Sequence, residues 1–128
     1  CAVLVVDDEA VFAKNIQTYL AREGYEVRIA GDANAAMTEF DDFRPGIVLL
    51  DYNLPGVDGL EVLAWMKGKD PNVPVVMLTG RGGVEVAVQA MKSGAADYLS
   101  KPVALGELKL VIKRVTQREQ ISPTRPVI

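Results

Sequence analysis

Histidine is absent from the 128 residues. That excludes imidazole acid–base catalysis, His metal ligands and a phosphohistidine on this chain, so any phosphorus chemistry needs another nucleophile. Cysteine occurs once, as Cys1, which rules out an internal disulfide and fits a reducing cytoplasm. No apolar run approaches the ~18 residues that span a bilayer, and no signal-peptide pattern is present. Lys+Arg number 14 against 17 Asp+Glu, a net charge of −3, with no basic patch of the kind that binds nucleic acid. No glycine-rich loop follows the first apolar run, where a nucleotide-binding module would need one; Asp7-Asp8-Glu9 stand there instead. The chain begins at Cys1 rather than Met, as a piece of a longer product would.

What is present suits one globular domain. Hydrophobic residues make up 49% and charged residues 24%, enough apolar material for a core without disulfides. Strand and helix patterns alternate five times along the chain. Ala2–Val6, Ile47–Leu50 and Val75–Leu78 are continuous apolar runs, as strands buried on both faces read. Tyr25–Ala30 and Tyr98–Ser100 are weaker strands. Between them lie helical stripes on Val11, Phe12, Ile16 and Leu20, ended by Gly24, and on Ala36, Met37 and Phe40, beginning near Asp32. Further stripes fall on Val62, Leu63 and Met66, closed by Gly68, on Val84, Ala87 and Met91, stopped at Gly94, and on Leu108, Val111, Ile112 and Val115. This alternation predicts an α/β fold, a doubly wound five-stranded parallel sheet with helices on both faces and the flavodoxin-like order 2-1-3-4-5. The apolar period fades from about Gln117, and Pro123 and Pro126 follow. The expected division is residues 1–116 as the domain and 117–128 as the end of the last helix and the start of a linker.

Parallel strands all point the same way, so residues just past their C-termini gather on one crest of the sheet. Asp7 and Asp8 follow the first strand, Asp51 the third, Thr79 the fourth and Lys101 the fifth. Carboxylates gathered in this way repel one another unless a cation neutralises them. Mg²⁺ prefers hard oxygen ligands and commonly accompanies phosphoryl groups. A carboxylate can act as nucleophile to give an aspartyl phosphate, and the transfer asks the protein mainly for positioning and charge stabilisation. Asp51, directly after the central apolar strand, is the candidate nucleophile. Lys101 can neutralise a phosphoryl oxygen as a point charge, and Thr79 can donate a hydroxyl hydrogen bond to another. Singly, each has a plainer account: an Asp after a strand often caps a helix or makes a turn, and a Lys is often a solvated charge. Coincidence at four strand ends is the poorer explanation.

The stretches Val5-Val6-Asp7-Asp8-Glu9, Asp51-Tyr52-Asn53-Leu54-Pro55-Gly56-Val57-Asp58-Gly59, Leu78-Thr79-Gly80 and Gly94-Ala95-Ala96-Asp97-Tyr98-Leu99-Ser100-Lys101-Pro102 resemble, in that order, the motifs of receiver (CheY-like) domains of two-component response regulators. The resemblance runs from about Ala2 to about Val115. It implies that Asp51 is phosphorylated from the phosphohistidine of a sensor histidine kinase, in a Mg²⁺-dependent reaction. Asp7, Asp8, Asp51 and the backbone carbonyl of Asn53 would hold the metal, and Lys101 would bind the phosphoryl group. It also implies a cis Lys101–Pro102 bond and a switch pair of Thr79 and Tyr98. Asn53 and Arg81 fall where the family varies and tunes the lifetime of the phosphorylated state. Such a domain is not a conventional enzyme, although it promotes its own phosphotransfer and autodephosphorylation.

The output implied is transcription regulation in the cytoplasm, with a homodimer formed through the fourth helix, fifth strand and last helix. No direct nucleic-acid or membrane binding by this segment is expected. Val84–Lys92, Asp97–Pro102 and the Leu105–Val115 helix resemble receivers of the nitrogen-regulator (NtrC) class, with receivers attached to histidine kinases or to other outputs as the alternatives. Two other classes compete. A haloacid dehalogenase type phosphohydrolase also uses an Asp after a strand, but wants a second Asp two residues on, where Asn53 stands. A non-catalytic interaction domain of the same fold would not need the intact acidic site.

Overall fold

The computed structural model describes residues 1–80 and 83–121. The elements run β1 (Ala2–Val6), α1 (Ala10–Arg22), β2 (Glu26–Ala30), α2 (Ala33–Phe43), β3 (Ile47–Asp51), β4 (Asn53–Leu54), β5 (Val57–Asp58), α3 (Gly59–Lys69), β6 (Val75–Thr79), α4 (Gly83–Lys92), β7 (Asp97–Ser100) and α5 (Leu105–Ile121). The main sheet is parallel and ordered β2-β1-β3-β6-β7. This is the predicted 2-1-3-4-5 order once the short β4–β5 hairpin is set aside. β1, β3 and β6, the most apolar runs, lie inside the sheet and are almost wholly buried, whereas the edge strands β2 and β7 alternate with exposed residues.

The two-residue strand period divides the core into two layers. On one face Leu4, Val6, Val48, Leu50, Val75 and Met77 pack against α2, α3 and Ala90 of α4. On the other, Val3, Val5, Ile47, Leu49, Val76, Leu78 and Leu99 pack against α1 and α5. Each apolar side chain so buried contributes about 1.5–3 kcal/mol, and both layers grip the central strands whose ends carry the polar residues.

Several local expectations are corrected. Gly68 does not close α3; the helix continues to Lys69 and ends at Asp70. Asp70 is extended (φ −143°, ψ 97°) because it precedes Pro71, whose ring disfavours the helical region for its predecessor. In α1 the buried side chains are Ala13, Ile16 and Leu20, while Val11 is 76% exposed. In α4, Val84 and Met91 are likewise exposed at 76% and 46%, and among its described side chains Ala87 and Ala90 are the fully buried ones. Of the apolar stripes read from the sequence, Ile16, Leu20 and Ala87 are buried, whereas Val11, Val84 and Met91 lie off the buried side. No correction applies to α5, which spans Leu105–Ile121. The β4–β5 hairpin was not expected, although Pro55-Gly56 signals its two-residue turn: Gly56 takes φ +70°, where a type II turn requires it. The Arg81 and Gly82 positions, and Pro123 and Pro126 of the expected linker, lie outside the described residues. No described helix is long and apolar enough to cross a membrane.

Candidate functional site

The crest of the sheet is assembled by register. Val6 lies opposite Leu50, Asp51 opposite Leu78, and Thr79 opposite Ser100. Asp7, the residue after β1, is therefore carried to the level of Asp51, and Lys101, the residue after β7, lies two residues past that level on the same crest. The Lys101 N–H donates to the Thr79 carbonyl at 2.9 Å, which fixes the start of the lysine's loop to the end of β6. The Lys101–Pro102 peptide bond is cis.

Carboxylate oxygens of Asp7, Asp8 and Asp51 lie within 4.8 Å of one another. Asp7 and Asp51 are buried at 1% exposure each, and Asp8 is exposed. One oxygen of each buried acid is used structurally: Asp7 Oδ1 accepts the Glu9 N–H at 2.9 Å, and Asp51 Oδ1 accepts the Asn53 N–H at 3.1 Å. The second oxygens, Asp7 Oδ2 and Asp51 Oδ2, are buried without an aligned hydrogen bond. Lys101 Nζ stands 2.8 Å from Asp7 Oδ2 as a close ion pair, and 3.6 Å from Asp51 Oδ2, beyond hydrogen-bond reach.

Burial is the largest influence on Asp51 and pushes its carboxyl up to about 6 from the usual 3.8. The Asn53 N–H opposes this, Asp7 and Asp8 add to it by repulsion, and Lys101 offsets part. For Lys101, burial pulls downward first, yet Asp7, Glu9 and Asp51 outweigh it and the ammonium is held above its usual range. It therefore stays charged at the mouth of the site.

Thr79 is buried on β6. Tyr98 lies opposite Met77, so strand periodicity places it on the same sheet face as Thr79, one pleat back. It is 41% exposed and, with Val84, Ala87, Val88, Met91 and Lys92, lines an apolar groove of about 390 Å³. Asn53 is exposed and joins the site through its backbone.

Three contributors had no role assigned from sequence. Glu9 Oε1 lies 2.7 Å from Lys101 Nζ, and the Phe12 ring centroid lies 4.6 Å from the same nitrogen. Gly59 packs under the Asp51 loop: a Cβ there would sit 2.7 Å from Tyr52 Cα and 2.8 Å from the Asp51 carbonyl oxygen. Its own N–H donates to the Tyr52 carbonyl at 3.0 Å. A glycine just after a helix cap was the one available sign of so close an approach.

A buried carboxylate on the crest of a five-stranded parallel sheet, with two further carboxylates and a lysine close by, is the arrangement of a receiver-type domain. The chain belongs to the response regulator receiver domain family, whose model matches residues 3–113. Members are regulatory domains rather than conventional enzymes, and this membership decides against the phosphohydrolase and nucleotide-binding readings. The chain is 40% identical over 117 residues to the nitrogen assimilation regulatory protein NtrX of Azorhizobium caulinodans, covering 90% of this chain and 26% of that protein. It is 35% identical over 120 residues to the probable transcriptional regulatory protein TcrX of Mycobacterium tuberculosis, covering 94% of this chain and 51% of the relative. The chain thus spans about a quarter to a half of the length of these relatives. The crystal structure of the receiver domain of NtrX from Brucella abortus superposes with a TM-score of 0.85 at 40% identity, covering 90% of this chain and 98% of that one.

Proposed function

We propose that Asp51 is the phosphoacceptor of this receiver, and that Lys101 and Thr79 stabilise the transferred group. One observation carries the reading: Asp51 Oδ2 is buried, lacks a hydrogen bond, and faces two more carboxylates and Lys101. An Asp51 oxygen attacks the phosphorus of a kinase phosphohistidine; the P–N bond breaks and the imidazole departs. Lys101 then exchanges part of its carboxylate contact for a phosphoryl oxygen, and the Thr79 hydroxyl donates to another. Attack by water on the phosphorus of the acyl phosphate breaks its P–O bond to the carboxylate, releases inorganic phosphate and returns Asp51, which ends the signal.

Asp7, Asp8, Asp51 and the Asn53 carbonyl would hold Mg²⁺. The donor set fits a hard cation, because it is all oxygen and includes Asp51 Oδ2, a buried carboxylate oxygen without a hydrogen bond. When bound, Mg²⁺ neutralises the carboxylates and the incoming phosphoryl charge.

Thr79 moving toward the phosphoryl group vacates space for Tyr98 to turn inward, which repacks the groove against α4. A bias of a few kcal/mol from one bound charge suffices for such a two-state element. By similarity, the domain works in the cytoplasm and passes this change to a transcription output, the NtrC class being one candidate, through a homodimer on the α4, β7 and α5 face. Exposed Val84, Val88, Met91 and Tyr98 support that use of the face. Residues 1–116 would form the receiver, and 117–128 the helix end and linker. The test is incubation with acetyl phosphate and Mg²⁺ followed by intact-mass measurement. Gain of one phosphate by the unsubstituted chain and none by Asp51→Asn is expected; equal gain by both overturns the assignment.

A further inference from the structure

Glu9 occupies the N-cap position of α1, yet its side chain makes no cap hydrogen bond. Ser, Thr, Asp or Asn at that position would satisfy a helix N–H. Its backbone is already committed, with the N–H donated to Asp7 Oδ1 at 2.9 Å. The carboxylate instead crosses to the far end of the chain and meets Lys101 Nζ at 2.7 Å. The Glu9 side chain is 62% exposed and the Lys101 side chain 14%, so the contact closes over the lysine from the solvent side. Asp7 holds the same ammonium from the buried side, and Phe12 lies beneath it.

We infer that Glu9 is a positioning residue that restrains Lys101, and so sets how readily the site accepts an anionic phosphoryl donor. This rests on the assignment of Lys101 as the phosphoryl-binding group. The ammonium has to release one carboxylate to take up a phosphoryl oxygen. Asp7 is buried and in the predicted metal set, whereas Glu9 is exposed and hydrates at little cost on release. Glu9 is therefore the partner that yields, and its hold is a brake on capture. An exposed ion pair of this kind corresponds to about a threefold to fivefold change in an equilibrium.

The experiment follows the rate of phosphate gain by intact mass, across acetyl phosphate concentrations at saturating Mg²⁺, for the unsubstituted chain and for Glu9→Ala, Glu9→Gln and Glu9→Asp. Glu9→Asp keeps the charge at the mouth but is too short to hold the lysine. The expected result is a half-saturating donor concentration lowered about threefold to fivefold in all three variants, with the maximal rate changed less and the fold intact by circular dichroism. Improvement in Glu9→Ala and Glu9→Gln but not in Glu9→Asp would assign the effect to net charge and overturn the ion-pair role. Three variants indistinguishable from the unsubstituted chain would overturn it outright. Absence of phosphate gain by the unsubstituted chain would overturn the Asp51 assignment itself, and this inference with it.

Discussion

Replacing Asp51 with Asn should make the metal-free protein more stable, by an amount that depends on pH in a calculable way. The carboxyl titrates near 6 in the folded chain against 3.8 ordinarily. Folding therefore favours its protonated form, and that stabilisation is fully present below pH 3.8 and lost as pH rises through about 6. At pH 7.5 the folded chain has to hold an ionised carboxylate that the unfolded chain holds at no cost. The gap corresponds to about 3 kcal/mol at ~1.4 kcal/mol per pH unit. Asn keeps the shape and can still accept the Asn53 N–H, but carries no charge. Asp51→Asn should thus gain about 3 kcal/mol at pH 7.5, and roughly half as much at pH 5, where the folded carboxyl is already mostly protonated. Urea unfolding in EDTA reads this directly. At a slope of ~1.5 kcal/mol per molar, the midpoint should rise about 2 M at pH 7.5 and about 1 M at pH 5. Adding Mg²⁺ should stabilise the unsubstituted chain more than the variant and narrow the gap. No gain at pH 7.5, or a gain that fails to shrink at pH 5, would refute a strained, buried Asp51.

Three more outcomes follow from the same geometry. Asp8→Ala should slow Mg²⁺-dependent phosphorylation by about tenfold or more while leaving metal-free stability unchanged or raised, since an exposed repelling charge is removed; normal phosphorylation at low Mg²⁺ would reduce Asp8 to a turn former. Gly59→Ala should cost about 1–3 kcal/mol in urea unfolding and slow phosphorylation, because its Cβ would press on the Asp51 and Tyr52 backbone at 2.7–2.8 Å; unaltered stability and rate would mean that the loop yields freely. Addition of beryllofluoride with Mg²⁺ should alter amide hydrogen exchange in α4 and β7 as well as around Asp51; changes confined to the Asp51 pocket would refute the Thr79–Tyr98 switch.

The sheet order and the crest were legible in the sequence because both follow from local patterns. Apolar runs such as Val3–Val6 and Ile47–Leu50 can only be interior parallel strands in a chain that alternates with helices, and parallel strands put their C-terminal residues side by side whatever the details. Asp7, Asp51, Thr79 and Lys101 were therefore brought to one edge by topology alone. Which side of a helix is buried was less legible. Val11, Val84 and Met91 have helical apolar spacing, yet their helices bury Ala13, Ala87 and Ala90, since small residues allow the helix to lie close to the sheet. The end of α3 turned on Pro71 rather than on Gly68, a contest between two helix-ending signals that the tertiary structure resolved. Only the folded chain could pair Glu9 with Lys101, 92 residues apart, because nothing local distinguishes that contact from two solvated charges. Likewise, the need for glycine at position 59 arises from the Asp51–Tyr52 backbone passing within 3 Å of where its Cβ would stand. The sequence determined which groups reach the site; the tertiary structure decided which of them touch, because contact depends on distances that no local pattern encodes.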